Sequence, residues 1–198
     1  MPITQHQLQR RSDYVGGSDL AAVMGVSRWK SAVDVWAEKV YRCSGFTGSD
    51  AADTGNALEV AVRDMAAAKL GQRPVSTAPF RVLEGTKLGV HLDAHVPGDP
   101  PIPVEVKTSG INSPYGHDRD EWGDEWSDHI PREHIIQVHA QMLVTGADHA
   151  YISALLGGRG HAMFRVDLND QLAQAIPEIV ARFWSAVESR ERWDPEPP

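Results

Sequence analysis

The stretch from Gly89 to Ser109 constrains the fold of this chain most, because it has the pattern of two strands joined by a turn. In its first half, apolar and polar residues alternate as they do in a strand with one buried face. The apolar residues of this half are Val90, Leu92, Ala94 and Val96. The PGDPP segment is typical of a turn, and Pro103 is tolerated because it begins the second strand.

The pairing of these two strands predicts a cluster of charged side chains. If Val96 lies opposite Ile102, antiparallel counting places Asp93 opposite Glu105. The Cβ atoms of opposed residues are about 5 Å apart, and carboxylates that close repel each other unless a cation lies between them. Oxygen ligands of this kind suit Mg²⁺ or Mn²⁺. Lys107 projects from the same face as Glu105.

Two carboxylates, a hard cation and a lysine are typical of metal-assisted phosphodiester hydrolysis. The metal makes a bound water acidic and neutralises charge on the reacting oxygens, while the lysine holds the water or stabilises the transition state. However, the Asp-x₁₁-Glu-x-Lys pattern also occurs as ordinary surface chemistry on the solvent face of a sheet. The pattern alone leaves both interpretations open.

Composition narrows the class of protein. The 198 residues, 41% hydrophobic and 23% charged, indicate one globular domain, which we expect over residues 1–190, with a disordered acidic and proline-rich tail over 191–198. No run approaches the ~20 apolar residues of a membrane span, and the first residues lack the apolar stretch expected of a signal peptide. Cys43 is the only cysteine, which excludes an internal disulfide and a thiolate zinc cluster. We therefore expect a cytoplasmic protein.

The net charge of −8 argues against binding nucleic acid by bulk attraction, but leaves room for a local basic channel.

Helices are predicted before the hairpin. Ser18 suits the N-cap of a helix that runs to Met24, and the N–H groups at such a start bind anions readily, although capping alone also explains Ser18. Ser31 is predicted to cap a second helix. The buried stripe of that second helix is predicted to contain Val35, Trp36 and Val40.

A third helix is predicted from about Asn56 to Leu70. Its predicted apolar face consists of Ala57, Leu58, Val60, Ala61, Met65 and Ala68. Glu59 lies beside this face near the helix start. Glu59 either interacts favourably with the helix dipole or reaches towards the carboxylates of the hairpin as a third acidic group.

The chain after the hairpin begins with an acidic, glycine-broken segment that carries Trp122 and Trp126, which suggests a mobile flap or a subunit contact. A fourth helix from Pro131, two strands around the Gly157–Gly160 turn and a last helix from Asn169 follow. This order of elements predicts an α+β fold with a central mixed sheet flanked by helices.

Five motifs occur in sequence along the chain: GGSDLAAVMGVS, GNALEV, the D…EVKTS hairpin, EWGDEWSDHIPREHIIQVHAQMLVTG and LLGG. In this order, over roughly Arg11 to Gly158, they resemble the YqaJ-like viral recombinases, which are related to phage lambda exonuclease within the PD-(D/E)xK nuclease superfamily. The resemblance implies a restriction-endonuclease-like core. It also implies Mg²⁺-dependent (or Mn²⁺-dependent) hydrolysis of linear double-stranded DNA, 5′ to 3′, in phage-type recombination.

The resemblance also implies roles for individual residues. Asp93 and Glu105 resemble the family's metal ligands, with the carbonyl of Val106 as a further ligand. Lys107 resembles the catalytic lysine, and Glu59 the acidic helix residue near the metals.

Two further implications concern the DNA end and the helix glutamine of the superfamily. Arg11 and Ser18 resemble the pair that holds the terminal 5′-phosphate. The glutamine would fall near His139, so either Gln137 or Gln141 is expected to serve instead.

Relatives act on double-stranded DNA ends, often as ring-shaped trimers that work with a single-strand annealing protein. We therefore expect a homo-oligomer encoded by a phage or prophage and located in the cytoplasm of a bacterial host.

Two alternatives stay open on the sequence. The His91-x-Asp93-x-His95 spacing suits a transition-metal hydrolase. A non-catalytic protein that binds DNA ends is the second alternative.

Overall fold

The computed structural model describes residues 12–43, 50–75, 80–110 and 121–195, except for the side chains of residues 51 and 52. The elements within these ranges are α1 (Gly17–Val23), α2 (Ala32–Tyr41), α3 (Asp50–Leu70), β1 (Arg81–Val82), β2 (Gly89–Val90), β3 (Ala94–Val96), β4 (Ile102–Ser109), α4 (Arg132–Thr145), β5 (His149–Leu156), β6 (Gly160–Asp167) and α5 (Asp170–Ser189). In those same ranges, no helix is both long enough and apolar enough to cross a membrane.

The central sheet is mixed and four-stranded, in the order β3-β4-β5-β6. Strand β4 pairs antiparallel with β3 and parallel with β5, which in turn pairs antiparallel with β6. Because β4 and β5 are parallel, the chain between them must cross the sheet, and it does so with α4. The predicted α+β class with a mixed sheet flanked by helices is confirmed.

The predicted hairpin register is confirmed, since Val96 pairs with Ile102 and Ala94 with Val104. However, the first strand of the hairpin is not continuous as expected. Strand β2 pairs with β1 in a separate two-stranded sheet. Residues 91–93 belong to no strand and separate β2 from β3. The burial alternation nevertheless continues through the break. One apolar pattern therefore serves two sheets, and Asp93 lies at the junction.

Helices α3 and α4 cover opposite faces of the sheet. The backbone of α3 is hydrogen-bonded to Ser153 of β5, and the start of this helix approaches Thr108 of β4. Side chains of α4 bind Glu105, which points to the other face because side chains alternate along a strand. Behind α4, the helices α1, α2 and α5 share the largest hydrophobic cluster.

The helix starts before the hairpin agree with the sequence at one position and not at the other. Ser31 caps α2 in a capping box with Asp34, as predicted. The N-cap of α1 is Gly16, whereas Ser18 is an exposed residue within the helix, so the predicted cap at Ser18 is wrong. The helix starts earlier because the N–H of Leu20 already bonds to the carbonyl of Gly16. The buried carboxylate of Asp19, 2.7 Å from Lys39 Nζ, joins this first turn to α2.

The predicted apolar face of the third helix is wrong. The structure exposes Ala57, Val60, Ala61, Met65 and Ala68. The fully buried apolar residues of α3, among its described side chains, are Val62 and Ala66. Alanines occur all around this helix, so apolar periodicity alone did not identify the side that meets the sheet.

Two segments expected to be mobile are packed in part. Trp122 is only 3% exposed and its ring lies 5.0 Å from that of Phe164, so it belongs to the core and not to a flap. Trp126 is 44% exposed, and its backbone N–H donates to Met163 of β6. The expected disorder from residue 191 does not extend to Trp193, which is buried and donates its indole N–H to the carbonyl of Val23. Residues 196–198 lie outside the described part of the chain.

Candidate active site

The candidate site is built around the carboxylate of Glu105, which is only 2% exposed. Its Oε1 accepts hydrogen bonds from Lys107 Nζ at 2.5 Å and from Gln137 Nε2 at 2.6 Å. Its Oε2 accepts a hydrogen bond from Gln141 Nε2 at 2.5 Å. A buried carboxylate is stable as an anion only when such donors satisfy it. The sheet and α4 therefore together fix both oxygens of Glu105.

Asp93 lies beside Glu105, as the register predicted. Its Oδ2 accepts a hydrogen bond of 2.9 Å from the backbone N–H of Val106. Burial and then the charge of Glu105 raise the pKa of Asp93 to about 8, against the lowering effects of Lys107 and the Val106 hydrogen bond. The pair of carboxylates therefore needs a proton or a cation in this space.

Lys107 supplies a fixed positive charge at the site. Burial alone would lower the pKa of Lys107, but the negative charges of Glu105 and Asp93 and the hydrogen bond to Glu105 outweigh this effect and raise it. The ammonium group stays charged for this reason. Lys107 is thus a charged donor held at the edge of a carboxylate pair, where it can stabilise additional negative charge.

One face of α4 lines the site. Glu133, Gln137 and Gln141 are spaced by four residues, which puts them on the same side of a helix. The sequence left open whether Gln137 or Gln141 lines the site. In the structure both glutamines bind Glu105.

His139, which was the third residue considered, lies on another face of α4. It is 1% exposed, its Nδ1 bonds to the carbonyl of Ile135, and its Nε2 accepts the N–H of Asn169. His139 is therefore a structural residue that joins α4 to the start of α5.

Glu133 and His134 were not singled out from the sequence. Glu133 is 8% exposed, accepts a hydrogen bond of 2.8 Å from Arg28, and its charge contributes to the raised pKa of Lys107. Burial, together with the charges of Lys107 and Arg28, holds the pKa of His134 well below its usual range, so His134 is neutral. The spacing of four residues before Gln137 was the available signal for Glu133.

The remaining predicted residues are not equally close to this group. Glu59 on α3 is near enough for its charge to raise the pKa of Asp93, although this is the smallest of the causes. Ser18 is exposed in the first turn of α1. Arg11 lies outside the described residues, so its predicted pairing with Ser18 stays a prediction.

The described ranges contain no group of three or more His, Cys, Asp and Glu side chains placed to hold a metal ion. The alternative site at His91, Asp93 and His95 therefore does not form. The ring of His91 lies 4.9 Å from that of Phe80, and burial and then the charge of Arg81 lower the pKa of His95.

The family model of the YqaJ-like viral recombinase domain matches residues 6–148, which is more than half of the chain. The chain belongs to this family. A curated relative, the uncharacterized protein YqaJ of Bacillus subtilis strain 168, is 27% identical over 182 residues. That match covers 90% of this chain and 54% of the relative, so the chain spans about half of the relative's length.

Solved structures with the same fold include bacterial and phage-related exonucleases. LHK-Exo, an alkaline exonuclease from Laribacter hongkongensis, superposes with a TM-score of 0.74 at 19% identity, over 95% of this chain and 94% of the other. Its complex with dAMP gives 0.75 at 18% identity with the same coverage. A phage-related exonuclease from Haemophilus somnus 129PT gives 0.70 at 16% identity, over 89% and 94%. At these identities the likeness establishes the shared fold of this YqaJ-like protein.

The raised pKa of Asp93 predicts a pH dependence of stability in metal-free protein. The folded pKa of about 8 exceeds the ordinary value of 3.8, so the folded state keeps a proton that the unfolded state loses in between. The free energy of unfolding should therefore fall as the pH rises from about 4 to about 8, and Asp93→Asn should remove that part of the fall. Chemical denaturation in the presence of a chelator at both ends of this range measures it.

Asp128→Asn is the matched control for that measurement, because the side chain of Asp128 is exposed. This control should keep the wild-type pH dependence. If Asp93→Asn and Asp128→Asn give the same curve, the carboxylate of Asp93 is not held in the environment described above.

Proposed function

We propose that this protein is a metal-dependent deoxyribonuclease that degrades linear double-stranded DNA from its 5′ ends during phage-type homologous recombination. The observation that carries the proposal is the group of Asp93, Glu105 and Lys107, in which a charged lysine touches the buried carboxylate of Glu105 beside the half-buried carboxylate of Asp93. Membership of the YqaJ-like family and the fold shared with exonucleases support it. The dAMP in one relative is a nucleotide of the kind that DNA degradation releases.

Mg²⁺ or Mn²⁺ is the proposed cofactor, held by Asp93, Glu105 and the carbonyl of Val106. The donor set fits such an ion for two reasons. The two carboxylates repel each other, so a cation between them is favourable, and all the donors are oxygens. Mg²⁺ commonly binds through one or two carboxylates and keeps waters and substrate phosphates as its other ligands, so a third protein side chain is not required. Bound there, the ion would supply an acidic water and neutralise the charge of the scissile phosphate.

The remaining residues of the group position and stabilise. Gln137 and Gln141 hold both oxygens of Glu105, which keeps this carboxylate from rotating when DNA enters. Lys107, anchored on Glu105, directs its ammonium group to the attacking water or to the developing negative charge on the phosphate. Glu59 adds negative charge near Asp93 and favours cation binding in the same place.

Recognition of the DNA end is assigned to Arg11 and Ser18, on the strength of the family resemblance. An arginine presents a planar fork of donors that suits a terminal phosphate, and a serine hydroxyl adds a neutral donor. A protein with a net charge of −8 cannot rely on diffuse attraction for DNA, so a specific pocket for the 5′-phosphate is a physically reasonable means of selection.

The proposed partners are double-stranded DNA ends and a single-strand annealing protein. A homo-oligomer, for which a ring-shaped trimer is the proposed form, would enclose the DNA. The proposed location is the cytoplasm of a bacterial host, with a phage or prophage as the origin of the gene.

The role of Lys107 predicts a loss of rate without a loss of cation binding. Lys107→Ala should lower the turnover of linear DNA on the order of 10²–10³-fold, as removal of a donor to the transition state does. Its affinity for Mg²⁺, measured by calorimetry, should stay at the wild-type value. Arg165→Ala is the matched control, since Arg165 is an exposed cation on β6 that pairs with Asp167. Normal turnover combined with tenfold weaker Mg²⁺ binding would contradict the assignment.

The role of Arg11 predicts a preference for one kind of DNA end. The wild-type protein should degrade 5′-phosphorylated linear duplex faster than 5′-hydroxyl duplex, because only the former has a charged terminal group for the arginine to bind. Arg11→Ala should remove most of this preference and leave the rate on the 5′-hydroxyl substrate nearly unchanged. Equal losses on both substrates, or no preference in the wild type, would show that Arg11 does not read the end.

A further inference from the structure

Helix α3 carries Glu59 and has few apolar contacts with the rest of the protein. Val62 and Ala66, both small, are the fully buried apolar residues among its described side chains, whereas Val60 is 53% and Met65 43% exposed. By contrast, α5 buries the larger side chains of Ile176 and Phe183 in addition to Val180. Leu70, at the end of α3, also packs against the small cluster of β3 and β4. This apolar packing is limited, so polar contacts contribute to where α3 lies along the sheet.

The central polar contact of α3 is made by Ser153 of β5. Its hydroxyl is 0% exposed and donates a hydrogen bond of 2.9 Å to the backbone carbonyl of Val62. The same oxygen lies 2.8 Å from His161 Nε2 on β6. Because the single hydroxyl hydrogen goes to Val62, the histidine donates and Ser153 accepts in the second contact. This geometry fixes the direction of the serine hydroxyl.

The two ends of α3 are also held by the sheet. At the start, a Cβ placed on Gly55 would lie 3.3 Å from Thr108 Oγ1, so the helix backbone is close to β4 there. At the end, Lys69 Nζ donates a hydrogen bond of 2.9 Å to the backbone carbonyl of His161 and pairs with Glu125. The contact of Ser153 lies between these two and is the buried one.

Ser153 also lies in register with a residue of β4, the strand that carries Glu105 and Lys107. Ser153 of β5 is the partner of Val106 of β4, whose N–H binds Asp93. On α3, Glu59 is three residues from Val62, which places both within one helical turn. A single hydroxyl thus connects the turn that contains Glu59 to the strand beside Val106.

We propose that Ser153 is a positioning residue for Glu59. By holding the carbonyl of Val62, it sets where Glu59 stands relative to Asp93, and thereby how tightly the site binds its divalent cation. This inference rests on the proposed function of the same site. The proposed role of this buried serine differs from a general contribution to stability, because it changes the affinity of the site for the cation.

The test compares Mg²⁺ requirement and stability in matched variants. Ser153→Ala should raise the Mg²⁺ concentration for half-maximal DNA cleavage about tenfold, as loss of a residue that orients a metal-binding group does. The calorimetric affinity of DNA-free protein for Mg²⁺ should fall by the same factor. Hydrogen exchange of the α3 amides should become faster. Ser31→Ala is the control, because it makes the same chemical change at the cap of α2. It should lower the melting temperature without changing the Mg²⁺ requirement.

A double variant separates positioning from stability. If Ser153 acts through Glu59, then Ser153→Ala should have no further effect on Mg²⁺ affinity in a Glu59→Gln background. Independent, multiplying effects would overturn the proposal, as would a Mg²⁺ requirement for Ser153→Ala equal to that of Ser31→Ala. If the wild-type protein neither binds Mg²⁺ nor cleaves DNA, the proposed function fails and the role of Ser153 falls with it. Wild-type activity with an unaffected Ser153→Ala variant would overturn the positioning role alone.

Discussion

The carboxylate of Glu105 is the constraint on which the site depends. An ionised carboxylate at 2% exposure is costly unless donors replace the water that it loses. The donors come from Lys107 on the same strand and from Gln137 and Gln141 on α4. The parallel pairing of β4 with β5 requires the chain to cross the sheet between them, and this crossing brings α4 over Glu105. The hydrogen bonds that stabilise Glu105 therefore depend on the topology of the sheet.

Asp93 adds the second part of the arrangement. The break between β2 and β3 places Asp93 where two small sheets meet, and the N–H of Val106 fixes one of its oxygens. Burial and the charge of Glu105 together raise the pKa of Asp93 to about 8. A pair of this kind stores an unfavourable interaction that a divalent cation would relieve, which is the physical basis for the proposed cofactor.

The sequence predicted those features that depend on local patterns. The hairpin register followed from alternation and a turn, and the start of α2 followed from the cap at Ser31. The glutamines of α4 were predicted as alternatives, and the structure shows that both bind Glu105 because they are four residues apart.

The features that the sequence did not predict depend on contacts between distant segments. Trp122 lies in an acidic segment, yet it is buried because its ring meets Phe164 and His134. The side of α3 that meets the sheet includes the carbonyl of Val62, which accepts a hydrogen bond from Ser153, a residue that is distant in sequence and not apolar. Likewise, the first turn of α1, which begins before Ser18, is joined to α2 by the contact between Asp19 and Lys39.

The central claim is that the site hydrolyses DNA from its ends with a divalent cation. The most direct measurement incubates the purified protein with a mixture of linear and covalently closed circular duplex DNA, with Mg²⁺ or with a chelator. The account predicts loss of the linear DNA with release of nucleotides in Mg²⁺, intact circles throughout, and no loss of either DNA with the chelator. Equal cleavage of the closed circles, or stable binding to linear ends without any loss of DNA in Mg²⁺, would contradict it.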